Sequence, residues 1–425
     1  MDYREKYLKY KNKYINLQKY YLQLMRGGNV PNDNDRLIDC YIASSHNTYL
    51  VGDQLAGAAD INCYLNFIKK YGGGCVEMDI VSMKENKGKE NKGKEDVYIK
   101  HTGTLTNGLY LRDILSGIKD IINTPNQKMY GPVILSFDNK DLLHDGKQQI
   151  IWAILREELA GILYENYDPE NLIIKNIIGK ILIKWNQRVD SVKCDCESGC
   201  MIRGLLSKEL KPCKNLIKPN FYNDTYKFWT HMNQFNTTSF EHKDKKENKK
   251  EDEKEDKKED EKEDKKEDEK EDKKHQSYDK ILTQNRFIRI FPPGGNRNSE
   301  NYPFMKYIID GAQLVALNIQ TQDFHTMFQM EFFRNGCLRK KPNWLLKLNQ
   351  PEYIEYKIFF PKELTNIEIY TDDNDKKIDI SGNDILINVI KELEIIYVEC
   401  KYDNKEYKGA ITLTSNTNTL YPLTA

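Results

Sequence analysis

Two textures of apolar and polar positions alternate along this chain. Between residues 31 and 190, short apolar runs give way to helical periodicity and then return. Leu37–Ala43, Cys75–Val81, Val97–Lys100, Pro132–Phe137 and Lys180–Trp185 read as strands, and residues 54–70, 111–122 and 145–164 read as helices. Strand-like runs alternating with helical ones imply a parallel sheet with crossover helices. RFIRIFP at 286–292 and QLVALNIQ at 313–320 resume the buried, strand-like texture. From residue 352 the pattern turns all-β. YIEYKIFF, NIEIYT, DILINVI, EIIYVECKY and EYKGAITLT are short alternating strands and predict a small sandwich or barrel. At the other end, Tyr3, Tyr7, Tyr10, Tyr14, Leu17, Tyr21 and Leu24 are spaced by fours and threes, which sets them on one helical face that Gly27 and Gly28 terminate. This basic helix either packs on the protein body or lies on an anionic membrane surface.

Charge changes the picture once it is located. The 425 residues carry 65 basic and 65 acidic side chains. Residues 243–274 alone hold 14 Lys and 17 Asp or Glu, with no apolar residue and three copies of the octad EDEKEDKK. Such a segment cannot bury a core and reads as a spacer. A smaller repeat, KENKGKENKGKE at 84–95, reads as a solvated loop between two strands. Outside the spacer the charges balance, so no basic field points to nucleic acid. No apolar run is long enough to cross a membrane, and the N-terminus lacks the apolar core of a signal peptide. Nine Cys without a regular framework imply reduced thiols, and the expectation is a cytoplasmic protein. Cys194, Cys196, Cys200 and Cys213 have enough thiols for a zinc site but match no standard spacing.

Candidate chemistry gathers at strand ends. His46 and Asn47, in SSHNTYL, directly follow an apolar strand. Glu77 and Asp79 are two apart in a strand, so both carboxylates face one side. Within an apolar strand they repel each other and lose hydration, which a hard divalent cation such as Ca²⁺ or Mg²⁺ resolves; a water-facing edge or a lysine partner is the alternative. His101 ends a third strand, Asp138 and Asn139 end a fourth, and Lys184 lies in a fifth. Polar residues delivered in succession by apolar parallel strands fit the rim of an active site.

These strings resemble a known family. SSHNTYLVGDQL, GGGCVEMDI, IKHTGTLT, PVILSFDN and GKILIKW are similar, in order, to the X region of eukaryotic-type phosphoinositide-specific phospholipase C. RFIRIFPPGGNRNSENY, GAQLVALNIQTQD and NGCLRKKP are similar to its Y region. The resemblance implies an α/β fold in which X and Y halves form one TIM-type barrel split by a charged linker. The organisation is then the X half at 31–190, an irregular insertion and linker at 191–280 and the Y half at 281–348, preceded by the basic amphipathic helix that the spacing gives at 1–28. A small β-sandwich at 352–425 would occupy the place of a C2 domain. It implies peripheral membrane association and phosphoinositide lipids as substrates, with Ca²⁺ as cofactor. By resemblance His46 stabilises the phosphorane, His101 is the general acid, and Asn47, Glu77, Asp79 and Asp138 bind Ca²⁺, Glu77 being catalytic as well. Lys184, Arg289, Phe291 and Ser277 would contact the head group.

Three positions depart from the family pattern. Asp138 stands where Glu is usual, Asn186 where a second Lys is usual, and Phe291 where Tyr is usual. Arg188 is a candidate substitute for the missing Lys, and Asp372, Asp373 and Asp375 read as a hairpin tip rather than a Ca²⁺ loop. Two rivals follow: a catalytically weak or inactive phosphoinositide-binding protein on the same fold, and a barrel phosphodiesterase acting on soluble glycerophosphodiesters. Retention of both histidines argues against the first, and Lys184 with Arg289 against the second.

Overall fold

The structure is a computed structural model that describes residues 30–87, 93–101, 105–139, 147–164, 172–186, 237–241, 282–285, 287–292, 299–360, 364–371, 377–379, 384–402 and 405–413. The N-terminal helix expected at 1–28, Ser277, Arg188, the four-cysteine cluster, the aspartates at 372–375 and the charged spacer lie outside the described residues.

Among the described residues the main sheet has nine strands: the short Leu109–Tyr110, and β1 (Ser44–Ser45), β2 (Gly74–Glu85), β3 (Glu95–Ile99), β4 (Val133–Asn139), β5 (Ile181–Asn186), β6 (Thr237–Glu241), β7 (Phe287–Phe291) and β8 (Leu314–Leu317). Seven run parallel in the order β6-β7-β8-β1-β2-β4-β5, the curved sheet of the expected TIM-type barrel. Among the described residues no ladder joins β5 to β6, so the circle is not closed there. The strands from both halves of the sequence meet at β8 and β1, where Ala316 and Leu317 pair with Ser44 and Ser45. Strands buried on both faces read as continuous apolar runs, and Val133, Ile134, Leu135 and Phe137 of β4 are wholly buried.

Helices cover the outer face. α1 (Ile61–Tyr71) starts where the Asp60 carboxylate accepts from the Asn62 N–H, and stops at Gly72 with φ 63°. The next residue, Gly73 (φ 130°), must turn α1 into β2. A Cβ there would lie 2.7 Å from the Pro132 carbonyl oxygen and 2.9 Å from the Cys337 Sγ. α2 (Leu111–Asn123) buries Leu111, Ile114, Leu115, Ile118 and Ile121, the i, i+3, i+4 stripe that its sequence predicts. α3 (Lys147–Glu158) follows β4. α4 (Phe304–Ile309) and α5 (Phe324–Phe332) come from the later part of the sequence, on either side of β8, α5 opened by a capping box between Asp323 and Thr326.

Four local expectations change. Leu37–Ala43 is not one strand: Arg36 grips Asp39 through two 2.8 Å hydrogen bonds and winds Leu37–Asp39 into a 3₁₀ turn. Only Cys40–Ile42 extends, and it pairs antiparallel with Leu338–Lys340 rather than in the parallel sheet. β3 is likewise antiparallel to β2. The polar repeat between them has no apolar stripe to make a crossover helix, so the chain turns straight back, with Asn86 donating to the Asp96 carboxylate at 2.7 Å. Helix α1 begins seven residues later than the 54–70 reading, because Asp53 folds the chain into a turn by accepting from the Leu55 and Ala56 N–H groups. The helix read over 145–164 ends at Glu158, after which Leu163 bridges to Ile181.

The C-terminal strands are β9 (Tyr353–Phe359), β10 (Thr365–Tyr370), β11 (Lys377–Asp379), β12 (Asp384–Ile390), β13 (Ile395–Tyr402) and β14 (Lys405–Thr412). β9 pairs with β12, and β11-β10-β13-β14 form a second antiparallel sheet. Ile367, Ile369, Ile387, Val389, Ile396 and Val398 fill the core between them. This unit docks on the barrel, where the Glu331 Oε1 accepts from Thr412 N and Oγ1, and Arg339 Nη2 donates to the Glu392 carbonyl.

Candidate active site

The ladder registers stack side chains in layers at the C-terminal end of the parallel strands, where barrel enzymes hold their chemistry. Glu77, Ser136 and Lys184 share one level across β2, β4 and β5; Asp79, Asp138 and Asn186 share the next level toward the mouth. Ligand oxygens of Glu77, Asp79 and Asp138 lie within 4.8 Å of one another. Carboxylates this close, one of them buried, repel unless a cation sits among them, and three hard oxygens suit Ca²⁺ or Mg²⁺.

Asn47 completes the group on one side. Its backbone N–H donates to Glu77 Oε2 at 2.9 Å, and its φ of 43° is an uncommon value for a residue other than glycine. Backbone held off its preferred basins at a site is held by what surrounds it. Tyr49 donates its hydroxyl to Asp79 Oδ2 at 2.7 Å.

Glu77 is the most contested residue. Burial works against its ionisation, yet Arg289, His46, the Asn47 N–H and Lys184 together hold its carboxyl below the usual carboxylate range. Arg289 Nη2 meets Glu77 Oε1 at 2.7 Å, with both side chains buried, while the buried Arg289 Nε has no hydrogen-bond partner among the described residues. Lys184 is also buried, with its ammonium 3.2 Å from the Ser136 hydroxyl. Burial, with Arg289 adding repulsion, pushes Lys184 down to about 8. The cations expected to meet the head group are therefore buried, Lys184 level with Glu77 and Arg289 bonded to it.

One histidine, His46, lies against the cluster, and the other, His101, is tied to the loop that holds Asn47. His46 Nδ1 lies 2.8 Å from Asn318 Oδ1, its Nε2 lies 3.7 Å from Glu77 Oε2, and its ring stacks on Phe291 with centroids 6.4 Å apart. Burial pushes the imidazole below its ordinary value, against the pull of Glu77. His101 Nδ1 lies 2.9 Å from the Gln54 carbonyl oxygen, which can only accept, so that nitrogen carries a proton.

The structure thus brings together His46, Asn47, Glu77, Asp79, His101, Asp138, Lys184, Arg289 and Phe291. Ser277 lies outside the described residues, and for Asn186 only the backbone position is described. Sequence reasoning missed Gln54, Tyr49 and Asn318. Asn318 carried the same signal as the others, a polar residue ending the apolar run LVAL. At the rim, Val51 is 47%, Leu55 43% and Leu105 85% exposed, and the Leu105 N–H donates to the Leu55 carbonyl.

Residues 34–187 match the phosphatidylinositol-specific phospholipase C X domain and residues 226–347 match its Y domain. The chain belongs to the phosphatidylinositol-specific phospholipase C family. Among curated relatives, the 1-phosphatidylinositol 4,5-bisphosphate phosphodiesterase gamma plc-3 of Caenorhabditis elegans is 35% identical over 172 residues, 40% of this chain and 12% of that protein. The delta-4 enzyme of Bos taurus is 34% identical over 149 residues, 34% of this chain and 17% of that protein. PLC21 of S. officinalis, known from its crystal structure, superposes with a TM-score of 0.56 at 20% identity, covering 90% of this chain and 52% of that one. The chain therefore spans about half of the solved relative and a smaller share of the curated ones. No described helix is long and apolar enough to cross a membrane.

Proposed function

We propose that this chain is a Ca²⁺-dependent phosphoinositide phospholipase C acting at a membrane surface. It would split phosphatidylinositol phosphates into diacylglycerol and an inositol phosphate by way of a cyclic phosphodiester. The observation that carries the reading is the carboxylate cluster of Glu77, Asp79 and Asp138, with the His46 imidazole 3.7 Å from Glu77 and the buried cations Arg289 and Lys184 acting on that same carboxylate. The family names given to its relatives agree with it.

Asn47, Glu77, Asp79 and Asp138 would hold the metal. A bound Ca²⁺ supplies positive charge that acidifies the inositol 2-hydroxyl and offsets charge on the phosphoryl oxygens. Arg289 and the Asn47 N–H keep Glu77 ionised, the state required of the carboxylate that takes the 2-hydroxyl proton. The freed hydroxyl oxygen bonds to phosphorus and the bond from phosphorus to the diacylglycerol oxygen breaks. His101, held at Nδ1, gives the departing oxygen its proton from Nε2. His46, held by Asn318 at Nδ1 and stacked on Phe291, stabilises the extra charge of the reacting phosphate in its doubly protonated form, donating from Nε2. A water oxygen then bonds to phosphorus and gives its proton to His101, while the bond from phosphorus to the 2-oxygen breaks and that oxygen recovers its proton from Glu77. Lys184 and Arg289 attract the phosphates on the inositol ring, and the exposed Val51, Leu55 and Leu105 give the mouth an apolar lip for a bilayer.

The test is purified protein on vesicles containing phosphatidylinositol, its 4-phosphate or its 4,5-bisphosphate, with Ca²⁺ or with a chelator. Diacylglycerol should appear from the phosphorylated lipids only with Ca²⁺. No product from any lipid, with the protein folded, would overturn the reading.

A further inference from the structure

Gln54 sits in a loop whose neighbours are exposed: Val51, Gly52, Asp53, Leu55 and Ala56 all face solvent, while Gln54 is 7% exposed. A long polar side chain turned inward from such a loop needs partners for every polar atom, or its burial costs free energy. Gln54 finds them in the active site. Its Oε1 accepts from Asn47 Nδ2 at 2.7 Å, and its Nε2 donates to Asn318 Oδ1 at 2.9 Å. Its backbone carbonyl receives His101 Nδ1 at 2.9 Å.

The direction of each bond is fixed by the next. Asn318 Nδ2 donates to the Glu300 carbonyl at 3.2 Å, which leaves Oδ1 facing inward. That oxygen takes the Gln54 Nε2 hydrogen and also faces His46 Nδ1. With Asn318 unable to donate on that side, His46 must carry its hydrogen on Nδ1. One side chain therefore touches Asn47, joins the Glu300 carbonyl in setting Asn318 against His46, and fixes the loop whose carbonyl holds His101.

We infer that Gln54 is a positioning residue that fixes the orientation of both histidines and of Asn47 without meeting the substrate itself. In kinetic terms the inference rests on the phospholipase reading above. Its structural half, the hydrogen position on His46, does not.

Two variants of the full chain test it. Gln54→Met keeps the length and removes every side-chain hydrogen bond. Gln54→Glu keeps an acceptor for Asn47 Nδ2 but sets an oxygen against Asn318 Oδ1. The first measurement is nitrogen NMR of the imidazoles at about pH 8.5, about two units above the ordinary histidine value, assigned with His46→Gln and His101→Gln. The wild type should show a protonated Nδ1 on His46, and both Gln54 variants should show that hydrogen redistributed toward Nε2. The second measurement is turnover on phosphoinositide vesicles. Both variants should lose roughly 10- to 100-fold in kcat, the scale of sub-ångström misplacement of reacting groups, with KM changing less than about threefold; Ca²⁺ affinity should fall more in Gln54→Met, which frees the Asn47 amide, than in Gln54→Glu, which keeps its acceptor. A His46 signal unchanged in both variants, or kcat within about twofold of wild type, overturns the inference. A loss shared equally by kcat, KM and thermal stability would mark Gln54 as structural support only, and also overturns it. If Gln54→Met does not fold, Gln54→Glu decides alone. If the wild type hydrolyses no phosphoinositide, the phospholipase reading fails while the NMR still decides the role of Gln54.

Discussion

At the residue scale, buried cations set much of this protein's chemistry. Lys341 is 2% exposed, and its ammonium donates to the Thr283 carbonyl at 2.9 Å. Burial pushes its pKa from 10.5 down to about 7, against the pull of Asp39 and Cys40 and with a small push from Arg36. The sign follows directly. Between about 7 and 10.5 the unfolded chain binds a proton at this lysine that the folded chain lacks, so the unfolding free energy rises with pH. Below that window the folded state carries a buried charge at full cost. Replacing Lys341 by Met should therefore stabilise the protein most near pH 7, and the advantage should shrink by at most about 1.4 kcal/mol per pH unit as pH climbs. Denaturant melts of both proteins at several pH values check this, and parallel stability curves would contradict it. Asn186 gives a second prediction. It sits level with Asp79 and Asp138, where the family pattern has a lysine, and a neutral amide cannot replace a cation facing a phosphate. A charge-assisted hydrogen bond contributes about 1.5–3 kcal/mol, so discrimination for the 5-phosphate should be about ten- to a hundredfold weaker than with lysine. Hydrolysis of the 4-phosphate lipid should then approach that of the 4,5-bisphosphate, and Asn186→Lys should restore preference for the bisphosphate. A strong wild-type preference in competition at equal surface density would rule this out.

At the scale of elements, what was legible followed from periodicity, and what was not followed from contacts distant in sequence. The parallel strands at 75–81, 132–137 and 180–185 were readable because strands buried on both faces leave unbroken apolar runs. So were Glu77, Asp79, Asp138 and Lys184, as polar exceptions in those runs. The 3₁₀ turn at Leu37–Asp39 was hidden because one local ion pair, Arg36 with Asp39, outweighed an apolar pattern. Gln54 was hidden for another reason: its partner Asn318 is 264 positions away, and nothing local tells a buried glutamine from a solvated one. The same loop carries the apolar lip. Leu55 and Leu105 come from two segments joined by one backbone hydrogen bond, and Leu105 is 85% exposed, so neither pays into the core. Burying a leucine in an apolar phase contributes about 1.5–3 kcal/mol. Leu55→Ser with Leu105→Ser should thus lower partitioning onto phosphoinositide vesicles by roughly tenfold or more. Hydrolysis of a monomeric, water-soluble phosphoinositide analogue should stay near wild type. Unchanged sedimentation with vesicles would remove the lip from the account.

For the whole molecule, the question is how one barrel tolerates a long charged segment inside it. The answer lies in β6, a strand inside a stretch that composition alone reads as irregular. β6 runs parallel to β7 from Thr237↔Phe287 to Glu241↔Phe291, so residues 242–286 are the connection between two neighbouring parallel strands. Such a connection must travel back along the sheet, and it needs only about a dozen residues. Removing 243–274 would leave residue 242 and residues 275–286, thirteen positions that include the short helix Leu282–Asn285. Geometry therefore allows the deletion without breaking the β6–β7 ladder, and the deleted residues include no apolar side chain that a core could lose. Lengthening a loop adds closure entropy only logarithmically, so shortening this one should stabilise the fold by about 1 kcal/mol or less. The truncated protein should give the same near-ultraviolet circular dichroism and a melting temperature equal to or slightly above that of the full chain. Turnover on vesicles should be preserved or increased, because none of the candidate site residues lies within 243–274. If the truncated chain fails to fold, the charged segment is a structural part of the crossover and not a spacer.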